Sequence, residues 1–252
     1  MGRLDGKTAI VTGSGQGVGR GIALALAREG ARVVVVGRTL SKCERTAAEI
    51  KSAGGTALPL ACDVTRRDEV NAVVAETVRA FGGVDVLVNN AAQSRVGISL
   101  EATTDDDVSL AFSSGVLGTL YFMQACLPHL KQHGGKVVNL GSTAGVVGQA
   151  GQTAYAIAKE GIRALSRVAA REWGRYGITV NVMCPFADSP GNKQWAEAYP
   201  QKVENTLATM AIKRIGTCEE DIGRAAVFLA GRDSDYVTGQ TIMVDGGAHI
   251  TA

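Results

Sequence analysis

The chain has 252 residues, of which 46% are hydrophobic, 20% charged and 5% aromatic, and its net charge is +2 from 26 basic and 24 acidic residues. These fractions are those of an ordinary folded domain, and they exclude a disordered or fibrous protein. Because the two charge signs are mixed along the chain, they give no indication of a nucleic-acid groove or of binding to an anionic membrane.

Cysteine and histidine are too few and too dispersed to indicate a metal site. The chain has five cysteines and three histidines, without a Cys-x-x-Cys pair, so zinc-type ligand spacing is absent from the sequence. Scattered thiols in odd number predict reduced cysteines and a cytoplasmic protein, and residues 1–7 lack the pattern of a secretory signal. Two uncharged stretches, 108–130 and 137–158, are interrupted by polar residues, Gly or Pro. This favours burial in a core or a subunit interface over a membrane span.

Short runs rich in β-branched residues alternate with longer alanine-rich segments along nearly the whole chain. The runs are almost continuously hydrophobic, as in strands covered on both faces of a parallel sheet. The predicted strands are Ala9–Val11, Val33–Val36, Thr56–Leu60, Val84–Val88, Lys136–Leu140, Ile178–Val182 and Thr241–Val244. The predicted helices include Gly21–Glu29, Ser41–Ala53, Arg66–Phe81, Thr153–Trp173 and Glu219–Ala230.

The repeated strand–helix order predicts an α/β fold of the Rossmann type, with a doubly wound parallel sheet between two layers of helices. Since no linker divides the chain, residues 1–252 are predicted to form a single dinucleotide-binding and catalytic domain. Only 186–215 breaks the alternation. A long insertion late in such a fold is a candidate substrate lid.

A glycine-rich turn follows the first predicted strand and leads into an Ala/Leu-rich helix. Glycine permits a tight turn and close approach of a pyrophosphate, and the start of the helix offers N–H groups and a positive dipole end. The position between a strand and a helix favours dinucleotide binding over a plain connection. The candidate cofactor-binding residues of the turn are Gly13, Ser14, Gln16, Gly17, Val18 and Gly19.

The residues after the second strand indicate which dinucleotide is bound. Gly37 stands where an acidic residue would bind the adenosine ribose and repel a 2′-phosphate, and Arg38 follows it. A guanidinium can bind a phosphate through two hydrogen bonds, so this pair favours NADP(H) over NAD(H); the alternative is a solvated loop arginine. Further candidates end the third and fourth strands, where such folds bind ligands: Asp63, Val64, Asn89 and Ala91.

Tyr155 and Lys159 are spaced to share one face of a helix. A nearby ammonium favours the ionised form of a phenol and suits it to general acid/base catalysis. Ser142 follows a strand earlier in the chain. Its hydroxyl either binds a substrate carbonyl oxygen or caps a helix.

In this order and spacing, the motifs resemble those of the short-chain dehydrogenase/reductase family over nearly the whole chain. The resemblance implies reversible hydride transfer between NADP(H) and a small-molecule carbonyl or secondary alcohol. Tyr155 would exchange the proton, Ser142 would orient the oxygen, and Lys159 would assist Tyr155 and bind the nicotinamide ribose; these three are called the catalytic trio below. The resemblance also implies that Pro185 contacts the cofactor and that the two uncharged stretches form interfaces of a homotetramer. The matching segments are Thr12-Gly-x-x-x-Gly-x-Gly19, Asp63, Asn89-Asn-Ala91, Ser142, Tyr155-x-x-x-Lys159, Thr238-Gly-Gln240 and Asp245-Gly-Gly247.

Three positions depart from the family pattern. Ala92 replaces a glycine, and Phe186 stands where Pro-Gly is common, which leaves the role of Ser189 open. Gly115 takes the place of an asparagine that usually continues a proton relay from the lysine through water, so the relay here uses a hydroxyl, uses water alone or is impaired. One alternative is therefore a nucleotide-binding sensor or scaffold without catalysis, against which the intact trio argues. Another, an enzyme that eliminates halide without a cofactor, is disfavoured by the glycine-rich turn and Arg38.

The expected substrate pocket is mainly apolar. It combines 93–98, 144–149 and Phe186 with the candidate lid. Such a wall favours a hydrophobic or cyclic ketone or alcohol, including steroid- or terpenoid-like rings. A 3-oxoacyl thioester is the competing substrate class, because many members of the family reduce one. The candidate substrate-binding residues are Ser142, Gln93, Phe186 and Trp195.

Overall fold

A computed structural model describes residues 2–250 of the chain. At its centre is a parallel sheet of seven strands in the order β3-β2-β1-β4-β5-β6-β7. The strands are β1 Thr8–Thr12, β2 Arg32–Gly37, β3 Thr56–Ala61, β4 Val86–Asn89, β5 Lys136–Leu140, β6 Thr179–Pro185 and β7 Thr241–Val244. All the predicted strands are present, and the predicted Rossmann-type α/β fold is confirmed.

The central strands are buried because both of their faces are covered. Every residue of β1 and the stretch Val33–Val36 of β2 are buried. Ile10 and Val34 belong to one hydrophobic cluster, whereas Val11 and Val35 belong to the cluster on the opposite face. A continuously apolar strand is required where alternate side chains enter two different cores.

Helices form the two covering layers. Those on one face are α1, α2 and α10, and those on the other include α3, α5 and α7. The first predicted helix begins at Gly17 rather than Gly21, so the last residues of the glycine-rich turn are already part of α1. The last begins with a π-helical turn, Cys218–Gly223. The α-helices are α1 Gly17–Arg28, α2 Leu40–Ser52, α3 Arg67–Phe81, α4 Asp105–Phe112, α5 Gly118–Leu130, α6 Thr143–Val147, α7 Thr153–Trp173, α8 Pro190–Ala198, α9 Pro200–Thr209 and α10 Arg224–Ala230.

The first uncharged stretch lies in one helical run, Asp105–Leu130. The run consists of α4, a π-helical turn at Ser113–Leu117, and α5. By length and hydropathy it is able to cross a membrane, but half of its most apolar segment is buried inside the protein, as in a core helix. Phe122 and Cys126 of α5 pack in the core beneath the sheet. Burial of this part of the stretch is therefore confirmed.

The chain reverses its direction across the sheet between β1 and β4. β2 and β3 lie on one side of β1, whereas β4 to β7 lie on the other. Connections that leave two such strands diverge and open a crevice at the carboxyl ends. Thr12 ends β1 and Asn89 ends β4, so the glycine-rich turn and the Asn-Asn-Ala-Ala segment meet at this crevice.

The candidate lid, 186–215, forms the two short helices α8 and α9. Pro190 and Pro200 occupy their first turns, where a missing N–H is tolerated. Every side chain of the two helices is at least partly exposed. The two ends of the segment lie side by side, because Ala187 pairs with Gly216. Its action as a lid stays a prediction.

Candidate functional site

Hydrogen bonds join the two chain segments that meet at the crevice. The Thr12 hydroxyl oxygen accepts hydrogen bonds from the backbone N–H groups of Asn90 and Ala91, both at 3.0 Å. The Asn90 side-chain amide donates to the carbonyl oxygens of Thr12 (2.9 Å) and Gly13 (3.1 Å). The glycine-rich turn is therefore held against the segment that follows β4.

Close contacts explain three glycines of the turn. A Cβ at Gly13 or Gly19 would lie 2.8 or 2.5 Å from the Asn90 amide nitrogen. Gly17 has a left-handed φ of +58°, and a Cβ there would lie 3.1 Å from Cδ of Pro190, the first residue of α8. These three glycines are therefore required by contacts within the protein, which pack the turn against Asn90 and the start of α8.

The start of α1 is suited to an anion. Among the described contacts, the Gln16 side chain does not cap α1, and the first turn of the helix contains no acidic residue. The N–H groups and the positive dipole end at this terminus favour a phosphate. Val18 lies in the same turn and packs against the core beneath it.

Ser14 has a different role from the rest of the turn. Its hydroxyl donates to the Val11 carbonyl at 2.6 Å and accepts from the Val36 N–H at 3.0 Å. Its own N–H donates to the Val36 carbonyl at 3.0 Å. These groups tie the turn to β1 and β2 and are not free to bind a cofactor.

A main cleft of about 830 Å³ opens at the crevice, within the size range of ligand sites. Its walls come from the carboxyl ends of β1 to β4 and from the α4–α5 run. The predicted substrate-binding residue Gln93 also lines this cleft. The predicted cofactor-binding residues in its wall are Gly13, Gln16, Arg38, Asp63, Val64 and Ala91.

The Asn89 side chain belongs to the sheet interior. It is buried, and its amide donates to the side-chain oxygen of Asn139 at 2.8 Å. Asn139 in turn donates to the Ser166 hydroxyl at 2.8 Å. This chain of polar groups links β4, β5 and α7, so the Asn89 side chain supports the cleft from behind.

Two cations lie at the end of the main cleft beside β2. Arg38 Nη1 donates to Gln93 Oε1 on the opposite wall, and Lys42 Nζ donates to Gln16 Oε1 in the glycine-rich turn, both at 2.8 Å. Lys42 is not among the predicted site residues. Its spacing from Arg38, four positions later at the start of a predicted helix, is the sequence feature that indicates a second cation here. Gln93 was expected beside the substrate, whereas its side chain here lies beside Arg38.

Asp63 is ionised at the edge of the same cleft. Burial alone would raise the pKa of Asp63, but hydrogen bonds from the N–H (3.0 Å) and hydroxyl (2.8 Å) of Thr65 outweigh it. The positive charges of Arg38 and Arg66 lower this pKa further. The carboxylate is therefore available as a hydrogen-bond acceptor at neutral pH.

Two buried thiols, Cys43 and Cys62, also line the main cleft. Burial, with a smaller contribution from Glu69, raises the pKa of Cys62 to about 12, and burial also raises the pKa of Cys43. Both thiols are therefore protonated at neutral pH and act as small apolar groups. A Cβ at Gly37 would lie 3.0 Å from Cys43 Sγ, so Cys43 occupies space that an acidic side chain there would need.

The catalytic trio is assembled by β5 and α7. Lys159 is buried, and its ammonium donates to the carbonyl of Leu140, the last residue of β5, at 2.7 Å. The ammonium lies 5.5 Å from the centre of the Tyr155 ring, one turn earlier on α7. Ser142 follows Leu140 by two residues and caps α6, its hydroxyl oxygen accepting from the Ala144 N–H at 3.2 Å. Capping uses an oxygen lone pair and leaves the hydroxyl proton for another acceptor.

Two loops meet beside these elements. The N–H groups of Gly97 (2.7 Å) and Ile98 (3.2 Å) donate to the carbonyl of Gly151, which closely precedes α7. Each loop exposes an apolar side chain, Val96 in one and Val147 at the end of α6. The joined loops therefore offer hydrophobic surface on the same edge of the sheet as the trio.

The remaining predicted residues lie around β6 and the candidate lid. Pro185 ends β6, and the Phe186 N–H donates to the Val244 carbonyl at 3.0 Å. The Phe186 side chain lines a second cavity of about 450 Å³ between β7 and the end of the lid segment. Trp195, partly exposed on α8, lines neither of these two cavities in the described part of the chain. The structure therefore does not bring Gln93, Phe186 and Trp195 into one pocket.

Within residues 2–250, no group of three or more His, Cys, Asp and Glu side chains is arranged to hold a metal ion.

Comparison with known proteins gives matches over nearly the full length. Residues 13–249 match a family model described as enoyl-(acyl carrier protein) reductase. The chain is 44% identical to a 12alpha-hydroxysteroid dehydrogenase from Clostridium sp., over 98% of each chain. It is 34% identical to the 3-oxoacyl-[acyl-carrier-protein] reductase FabG from Thermotoga maritima, over 97% of this chain and 98% of the relative. Among solved structures, a candidate short-chain alcohol dehydrogenase from Sinorhizobium meliloti 1021 superimposes with a TM-score of 0.92 and 32% identity, over 97% of each chain.

Proposed function

The chain belongs to the short-chain dehydrogenase/reductase family, and from this premise we propose that it interconverts a carbonyl group and a secondary alcohol with NADP(H). The observation that carries the proposal is the buried Lys159, held by the Leu140 carbonyl one helical turn from Tyr155. Burial of an ammonium is costly unless the group is hydrogen-bonded. The Leu140 carbonyl offsets this cost, so a positive charge is held beside the Tyr155 ring, where the proposed proton transfer takes place.

In the proposed reaction, each member of the trio has one role. Bound NADP(H) supplies or accepts the hydride. Tyr155 donates a proton to the substrate oxygen during reduction and receives it during oxidation, while Lys159 holds a positive charge beside the phenol and would bind the nicotinamide ribose. The free hydroxyl proton of Ser142 is donated to the same oxygen, which aligns the carbonyl.

The residues of the main cleft fit a dinucleotide. Gly13 lines the cleft, and the uncapped N-terminus of α1 that follows the same turn is suited to a pyrophosphate. Asp63 and Val64 are placed at the carboxyl end of β3 to receive the adenine, in agreement with the usual location of ligands at the switch point of such sheets.

The proposed preference for NADP(H) rests on the charges beside β2. Arg38 and Lys42 both line the cleft there, and a phosphate ester is attracted by two cations. Gly37 offers no carboxylate to repel it, and Cys43 fills the adjoining space. Lys42 is held on Gln16, so its ammonium stays close to the turn that would bind the pyrophosphate.

For the substrate, we propose a hydrophobic ring ketone or its alcohol, with a steroid skeleton as the first candidate. The apolar side chains exposed at Val96 and Val147 support this class. The relative named as a 12alpha-hydroxysteroid dehydrogenase is the more similar of the two curated relatives described above, at 44% identity. A fused-ring substrate presents a large, rigid apolar surface. Such side chains bind it with little loss of ligand conformational entropy.

The test is NADPH oxidation with steroid ketones, simple cyclic ketones and 3-oxoacyl thioesters as separate substrate sets. We expect turnover with a ring ketone and a loss of about 10²–10⁴-fold in kcat for Tyr155→Phe, the usual contribution of a general acid. Tyr236→Phe is the matched control, because Tyr236 is fully exposed. Full activity of Tyr155→Phe would refute the mechanism, and turnover of thioesters alone would refute the substrate class.

A 3-oxoacyl thioester is the second candidate substrate. It is favoured by the family model, described as an enoyl-(acyl carrier protein) reductase, and by the relative named FabG at 34% identity. The same trio would reduce its keto group. If this alternative holds, the entrance to the site must be polar and open enough for a pantetheine arm and a carrier protein. Only the carrier-bound substrate would then bind tightly.

We further propose a cytoplasmic homotetramer. Phe112 of α4 and Ile157 and Val168 of α7 are large apolar side chains exposed on the outer layer. Burial of such side chains against a second copy would remove apolar surface from water. Light scattering on the protein as it elutes from a size-exclusion column should give a mass four times that of one chain. A monomer that retains full activity would refute the proposed tetramer.

A further inference from the structure

The loop that follows β4 depends on contacts with other elements. Residues 90–97 form neither helix nor strand in the described structure. Ala91 and Gln93 line the main cleft, and Gly97 is hydrogen-bonded to Gly151. The loop therefore passes from the cleft to the loops beside the trio, so the position of its backbone affects both regions.

A buried serine, Ser114, holds the middle of this loop. The Ser114 hydroxyl oxygen accepts a hydrogen bond from the backbone N–H of Gln93 at 2.9 Å. Its proton is available to either of two carbonyl oxygens, that of Gln93 at 3.0 Å or that of Leu110 at 2.8 Å. The side chain is nearly inaccessible to solvent, so water does not readily replace these bonds.

The residue after Ser114 contacts the helix of the catalytic trio. Both residues lie in the π-helical turn between α4 and α5, a geometry that is frequent at functional sites. A Cβ at Gly115 would lie 3.4 Å from the Cβ of Ala158, the residue before Lys159. The same turn is thus bonded to the loop on one side and packed against α7 on the other.

We infer that Ser114 is a positioning residue for the reaction. Its hydroxyl fixes the loop backbone at Gln93 relative to Tyr155 and Lys159, an inference that rests on the proposed function. Gly115 contributes no polar side chain to the turn, and the hydroxyl that joins the turn to the loop comes from Ser114. Without it, the N–H of Gln93 loses its buried partner and the loop shifts among several positions.

The test combines Ser114→Ala with two measurements. Amide hydrogen exchange at Gln93 should become about tenfold faster, the effect of removing the hydrogen bond that protects its N–H. At saturating NADPH, kcat/KM for the carbonyl substrate should fall about tenfold, while the Kd of NADPH changes by less than about threefold, because the loop forms only one wall of the main cleft and the glycine-rich turn is held by Asn90 instead.

Ser234→Ala is the matched control. The Ser234 hydroxyl is also buried and also donates to backbone carbonyls, those of Leu229 (3.0 Å) and Gly231 (3.1 Å), at the far end of α10. Its loss should lower the melting temperature and leave exchange at Gln93 and kcat/KM unchanged. If Ser114→Ala does not fold, Ser114→Cys fills the same space with a weak donor and acceptor and should give the same result.

Three outcomes would overturn the inference: unchanged exchange at Gln93, faster exchange with unchanged kcat/KM, or an equal loss of kcat/KM in Ser234→Ala. Absence of hydride transfer in the wild-type protein would instead refute the proposed function. Exchange at Gln93 needs no turnover, so it still decides whether Ser114 holds the loop.

Discussion

Arg38 is the residue whose removal should separate NADPH from NADH most directly. The two cofactors differ only in the 2′-phosphate, and Arg38 lies at the end of the main cleft beside β2. Arg38→Ala removes one cation there and leaves the glycine-rich turn and the trio unchanged. The change in NADPH affinity relative to NADH therefore measures the phosphate contact alone.

The size of the effect follows from what Arg38 contacts without a ligand. A hydrogen bond to a charged group contributes about 1.5–3 kcal/mol, but a phosphate must first displace the Gln93 amide that accepts from Arg38 at 2.8 Å. Loss of that hydrogen bond, whose donor is charged but whose acceptor is neutral, costs about 1 kcal/mol. The net contribution is about 0.5–2 kcal/mol, so Arg38→Ala should weaken NADPH binding about 2- to 30-fold.

The assay is a fluorescence titration of the wild type, Arg38→Ala and Arg45→Ala with each cofactor. Arg45 is the matched control, because it is an exposed arginine on α2 that lies outside the described lining of the main cleft. NADH affinity should change by less than about twofold in either variant. Raising the ionic strength should reduce the NADPH preference of the wild type more than that of Arg38→Ala.

An equal loss of NADPH and NADH affinity in Arg38→Ala would refute the phosphate contact. An equal effect of Arg45→Ala would show that only the net charge of α2 matters. A wild-type protein that binds NADH as tightly as NADPH would refute the cofactor proposal itself.

Four further predictions concern the same cleft and the trio. Lys42→Ala should weaken NADPH about 2- to 5-fold with little effect on NADH, since an ammonium is a point charge without the paired geometry of a guanidinium; an unchanged Kd would remove Lys42 from the site. Gly37→Asp, for which the Cys43 side chain must shift, should reverse the preference toward NADH by charge repulsion of the 2′-phosphate, and retained NADPH preference in cofactor titrations would contradict this. Gly115→Asn should fold and alter the pH–rate profile, whereas an unchanged profile would exclude this position from proton transfer. Because burial raises the pKa of Cys62 to about 12, its thiolate is on the order of 10⁻⁴ of the total at pH 8. Alkylation followed by mass spectrometry should be slow there and rise about tenfold per pH unit below that pKa, and rapid labelling of Cys62 in the native protein at pH 8 would contradict the burial argument.

Strand positions were predictable because the cause of each strand is local. A run such as Val33–Val36 is apolar at every position, which a half-exposed strand or a surface helix does not tolerate. The four-residue spacing of Tyr155 and Lys159 was also sufficient to place them on one face of a helix. These features depend on neighbours within one or two turns of chain.

Features that depend on distant contacts were not predictable. Ser14 resembles a ligand-binding residue of the turn, yet its hydroxyl bonds to β1 and β2. The contact of Gly17 with Pro190 joins two ends of the fold, and the role of Ser114 depends on a loop that approaches it from β4. The identity of a single residue does not indicate which distant group will accept or donate its hydrogen bond.

The pairing of Ala187 with Gly216 has a consequence for how substrate range can diverge. Because the intervening chain starts and ends at the same place and neither α8 nor α9 has a fully buried side chain, the length of these helices is only weakly coupled to the sheet. Insertions there cost little loop-closure entropy. If the segment acts as the predicted lid, it can therefore be exchanged as a module, which would change the range of substrates and leave β5 and α7 in place.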